Sequence, residues 1–67
     1  MFGIFYLVFG FEGNKQVDVF NAAGQLIETR EISGNREMLD LTSYAKGIYT
    51  LKIRLENIIV YRKMLHQ

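Results

Sequence analysis

The sequence contains no cysteine, no proline, no tryptophan and a single histidine, His66, in 67 residues. Without cysteine there is no disulfide framework and no thiolate metal site, and one histidine cannot supply a histidine-rich one. The compartment stays open, because exported bacterial domains also do without disulfides. An excess of charge of one sign is missing as well. Eight Lys and Arg against seven Asp and Glu leave a net charge of +1, too weak a field to gather phosphate backbones, so no nucleic-acid partner is expected.

Catalytic groupings are equally scarce. Glu12, Asp18, Glu28, Glu31, Glu37, Asp40 and Glu56 are spread over turns and outward strand positions, and none is matched with a histidine or a nucleophile at a telling spacing. They read as solvated surface. His66 is one residue from the end of the chain, in a segment expected to fray, and reads as solvent-exposed. Ser33 and Ser43 have no base to activate them. No enzyme, no cofactor and no small-molecule substrate are expected.

Long hydrophobic runs are limited to the opening "MFGIFYLVFGF". It has no basic n-region and no small-residue cleavage site for a signal peptide, and it falls well short of the ~20 residues of a transmembrane helix. Its Phe, Tyr, Ile and Val residues between Gly3 and Gly10 predict a strand buried on both faces, which needs two partners.

What is present is alternation. Hydrophobic residues make up 49% of the chain, the composition of something that folds or assembles. At this length it forms one domain, residues 1–67, with a thin core. "KQVDVF" alternates Val17 and Val19 with Asp18, and "NAAGQ" follows as a tight connection in which Gly24 takes positive φ in a hairpin with a bulge. "QLIETREI" is the next strand and "SGN" a loop. "EMLDL" sets Leu39 and Leu41 on one face and Asp40 on the other. "GIYTLKIRL" sends Tyr49, Leu51, Ile53 and Leu55 one way and Ile48, Thr50, Lys52 and Arg54 the other. "IIVYRKMLHQ" closes the chain as a strand whose pattern is disturbed near Arg62 and Lys63, where a bulge is expected. Six short strands at nearly regular spacing predict an all-β antiparallel sandwich or small barrel.

Tyr6, Tyr44, Tyr49 and Tyr61 could form an aromatic platform for a sugar. Tyr49 lies on the apolar face of its strand and Tyr44 where a core anchor is expected, so a carbohydrate-binding module would have to rest on Tyr6 or Tyr61.

Taken together, "VDVFNAAGQLIETREI", "LDLTSYAKGIYTLKI" and "VYRKMLHQ" resemble the C-terminal sorting domain of the type IX secretion system of Gram-negative bacteria, over about residues 17–66. That family shows a hairpin like "N-x-x-G-x-L-(I/V)", a segment like "(I/L)-D-L-S-x-L-x-x-G-(I/V)-Y-x-(V/L)-K-I" and a basic-apolar ending such as "K-K-(I/L)-(I/L)". The resemblance implies a small immunoglobulin-like β-sandwich of about six strands, fused downstream of a cargo protein. It also implies recognition by translocon components, with export from the periplasm to the cell surface or the medium. It makes the corner of Leu41, Tyr44, Gly47 and Tyr49 structural, and places recognition on Val60, Arg62, Lys63, Met64 and Leu65. The family's usual first strand, with its "Y-P-N-P" motif, is absent from this chain.

A sandwich without that strand, opening on so apolar a segment, is expected to expose an unpaired edge. Phe2, Ile4, Tyr6 and Val8 would then contribute to a homodimer interface. This motivates a second reading, a self-associating structural module with no sorting role.

Overall fold

A computed structural model describes residues 3–10 and 12–67. Six strands run in order: β1 (Ile4–Val8), β2 (Lys15–Phe20), β3 (Leu26–Ile32), β4 (Arg36–Asp40), β5 (Gly47–Arg54) and β6 (Ile59–His66). None of the described residues is helical. The strands form two antiparallel sheets, one of four strands in the order β3-β2-β5-β6 and one of two, β1-β4. The all-β, sandwich-like architecture agrees with the alternation in the sequence.

The period of two explains the core directly, because successive side chains on a strand point to opposite faces. Val17 and Val19 of β2, Ile32 of β3, Leu39 of β4 and Tyr49, Leu51 and Ile53 of β5 turn inward, and Leu41 joins them from the corner after β4. Phe5, Leu7, Phe9 and Tyr44 pack against this cluster. Each fully buried aliphatic side chain stabilises the fold by about 1.5–3 kcal/mol, which so small a domain needs.

The first hairpin is built by Asn21. Its side-chain oxygen accepts the N–H groups of Ala23 (3.0 Å) and Gln25 (2.9 Å), while Gly24 donates to the Asn21 carbonyl at 2.9 Å. Gly24 holds φ +84°, a conformation that costs other residues strain. Val19 pairs with Glu28 and Phe20 with Leu26, so Ile27 is an extra residue on β3 and forms the expected bulge.

Four expectations are corrected. β1 is not buried on both faces: Phe5 and Leu7 turn inward, whereas Tyr6 is 65% and Val8 69% exposed. The strand pairs only with β4 among the described residues, so one face and one backbone edge remain open. The bulge predicted near Arg62 and Lys63 is also absent, since β5 and β6 pair without a register shift from Gly47 and His66 to Arg54 and Ile59.

Asp18 is not solvated surface, being only 7% exposed. It lies on β2, between β3 and β5, where both neighbours cover its outward side. Its Oδ1 accepts from Thr29 Oγ1 at 3.1 Å and Gln16 Nε2 at 3.2 Å. His66 does not fray either. Paired with Gly47 and lying 6.2 Å from the Tyr49 ring, it is only 5% exposed.

Candidate recognition surface

β6 follows β5 and, among the described residues, forms an edge of the larger sheet, bonded to β5 alone. Its alternation divides the five residues proposed for recognition. Val60 and Met64 turn inward and pack against the core, whereas Lys63 and Leu65 point outward and are exposed. Arg62 stands on the inward side, opposite Leu51, yet stays exposed. It lines an open groove of about 500 Å³, walled also by Phe5, Leu7, Leu51, Val60 and Met64. The five residues therefore belong to two faces of one edge strand and form no single patch.

The outward residues of β6 are Ile59, Tyr61, Lys63 and Leu65, all exposed. Each has a partner on the same face of β5: Arg54 beside Ile59, Lys52 beside Tyr61, Thr50 beside Lys63 and Ile48 beside Leu65. β5 and β6 together carry Lys52, Arg54, Arg62 and Lys63 and no carboxylate, although the chain has seven Asp and Glu. Arg54 lies 3.9 Å from Asp18 of β2, and Lys52 stands directly opposite Asp18 in the β2–β5 register.

The corner before β5 is tied down at several points. Leu41, fully buried, donates its N–H to the Gly3 carbonyl at 2.7 Å and accepts that of Tyr44 at 2.9 Å. Tyr49 is buried and its hydroxyl donates to the Ala45 carbonyl. Gly47 enters β5 at φ +146°. Asp40 Oδ1 accepts from the Thr42 hydroxyl (2.6 Å) and the Thr42 N–H (2.9 Å). These bonds, helped by the charge of Arg30, hold the Asp40 carboxyl below its usual pKa.

On the far edge, Arg30 fastens the sheets together. Its guanidinium donates to Glu28 at 2.7 Å, to Glu37 at 2.8 Å and to the Met38 carbonyl at 2.9 Å. The carboxylates raise its pKa further, the bond to Glu28 contributing most.

Of the proposed dimer residues, Tyr6 and Val8 are exposed on β1 and Ile4 is half-buried, while Phe2 lies outside the described residues. Tyr6 and Tyr61 are both exposed but point away from different sheets, so they share no platform. The sequence reading passed over Ile48 and Lys52, although one signal was present: Ile48 heads a series that is otherwise polar, Thr50, Lys52 and Arg54.

Residues 2–67 match the family described as secretion system C-terminal sorting domain. The match takes in β1, ahead of the motifs legible in the sequence. No curated protein matches the chain.

Proposed function

Because the chain belongs to the family of secretion system C-terminal sorting domains, a sorting signal for type IX secretion, we propose that the secretion machinery reads it chiefly through β6. A signal of this kind acts on the protein to which it is fused and sends it to the cell surface or the medium. The observation that carries the reading is β6 itself. Among the described residues it is an edge strand with one row of backbone groups open, displaying Tyr61, Arg62, Lys63 and Leu65. An open edge supplies main-chain hydrogen bonds and the side chains supply selectivity, as in other strand-addition complexes. The proposed route runs from the periplasm through translocon components of the outer membrane. The domain acts by being bound, without catalysis, and an immunoglobulin-like sandwich serves as the frame.

The test is export. Fused behind a reporter with a signal peptide, in a host with the type IX system, residues 1–67 are expected to carry the reporter outside the outer membrane. The double variant Arg62→Glu/Lys63→Glu is expected to hold it in the periplasm. Both positions are exposed, so the fold survives the change, whereas truncation would remove buried His66. Export of the double variant at the unmodified level refutes β6 as the element that is read.

A specific observation favours a second partner, another copy of the chain. The edge strands β3, β4 and β6 all carry charged residues, while β1, Ile4–Val8, carries none. Charge is the usual guard against edge-to-edge pairing. Two copies pairing through β1 would set Tyr6 and Val8 of one beside those of the other on the outward face. Light scattering at high micromolar concentration is expected to give a dimer that Tyr6→Lys converts to monomer, and a monomeric unmodified chain refutes it.

A further inference from the structure

Among the described residues nothing covers the outward face of the β5–β6 half of the larger sheet, because the two-stranded sheet lies on the opposite side, over Val19, Leu51 and Ile53. An uncovered sheet face is ordinarily polar. This one exposes Ile48, Ile59, Tyr61 and Leu65. Ile48 and Leu65 stand together at one end of it, with Tyr61 and Ile59 beyond the Thr50–Lys63 pair, and apolar surface left open in this way marks an interaction site.

Two further features narrow the partner. The first is a shallow depression of about 400 Å³ in this face, bounded by Phe20, Ile48, Thr50, Lys63 and the turn at residues 21–24. Phe20 and Ile48 supply apolar walls, and Lys63 lines it beside them. The second is charge. Lys52 and Lys63 lie on this face; Lys52 stands opposite Asp18 of β2, yet among the described residues neither lysine comes within ion-pair distance of a carboxylate. A concave apolar site takes a projecting side chain, and unpaired lysines beside it favour carboxylates on either side of that side chain.

We propose that this face docks a protein surface presenting a large apolar side chain, which enters the depression, flanked by carboxylates that meet Lys63 and Lys52. The inference rests on the sorting reading and extends the contact from the β6 edge onto β5. An anionic membrane fits less well. So few lysines attract anionic lipid only weakly, and a depression offers nothing to insert into it.

The test uses residues on β5, so that its failure can be told from failure of β6 recognition. In the reporter fusion, Lys52→Glu and Ile48→Ser are each expected to cut exported reporter about tenfold. A tenfold loss corresponds to about 1.4 kcal/mol, which like charges set face to face readily exceed. Lys52→Arg is expected to export at the unmodified level. The thermal midpoint of each variant checks that it folds. Unreduced export of both Lys52→Glu and Ile48→Ser, together with loss in Arg62→Glu/Lys63→Glu, overturns this surface and leaves the β6 reading in place. If the unmodified fusion is not exported, both are overturned. Sedimentation with phosphatidylglycerol vesicles of the unmodified chain, lost in Lys52→Glu, overturns the protein partner in favour of a membrane surface.

Discussion

Gly3 and His66 occupy one contact: a Cβ added at residue 3 would stand 2.7 Å from His66 Cε1 and 3.1 Å from the Thr42 methyl. Residues near opposite ends of the chain thus fix each other, and Gly3 also holds φ +91°. Gly3→Ala is expected to lower stability by about 1–3 kcal/mol through overpacking and backbone strain. Gly34→Ala, with nothing within 4 Å of the new Cβ and no positive φ, is expected to change stability far less. Denaturant midpoints of the two variants check the contrast. A double-variant cycle of Gly3→Ala with His66→Ala is expected to show non-additivity, because the removed ring vacates the space the methyl needs.

Lys15 is a buried cation, with its ammonium donating to the carbonyls of Gly13 and Gly34 at 2.7 Å each and lying 4.8 Å from the centre of the Phe9 ring. Lys15→Met keeps the stem but leaves two carbonyls without that donor. The expected loss is about 1–3 kcal/mol for each group left unsatisfied, read as a lower urea midpoint. An unchanged midpoint would show that water takes over both carbonyls.

Acid is expected to loosen the corner after β4. The folded-state pKa of Asp40 is lowered from 3.8 by its two bonds to Thr42. A lowered carboxyl pKa contributes stability that is present above the unfolded-state value and is lost as pH falls through the folded one. Asp40→Asn is therefore expected to lose less stability than the unmodified chain on acidification below about pH 4. Urea midpoints measured from neutral to acid pH check this, and parallel pH profiles for the two proteins refute it.

At the same corner, Leu41 and Tyr49 are expected to differ in weight. Leu41→Ala removes a fully buried side chain and is expected to cost about 2–5 kcal/mol. Tyr49→Phe removes only the hydroxyl bonded to the Ala45 carbonyl, a loss of about 0.5–1.5 kcal/mol. Thermal unfolding ranks them. The reverse order would mean that the corner is held by its hydrogen bonds more than by its packing.

Features that depend on neighbours along the chain were legible before any fold was known. Alternation in β2, β4 and β5 located Val17, Val19, Leu39, Tyr49, Leu51 and Ile53, because a strand's period of two is local. Gly24 and its turn were legible for the same reason, as was the family, whose motifs are short and ordered. Which strand stands between two others and which stands at an edge follows from the packed fold. Asp18 is buried because β2 is interior, and Val8 is open because β1 has one neighbour. His66 is held because the end of β6 meets Gly3. The face shared by Ile48, Lys52, Lys63 and Leu65 exists only once β5 and β6 are in register. Pairing between strands is set by contacts distant in sequence, and a one-residue slip would reverse every side chain in it.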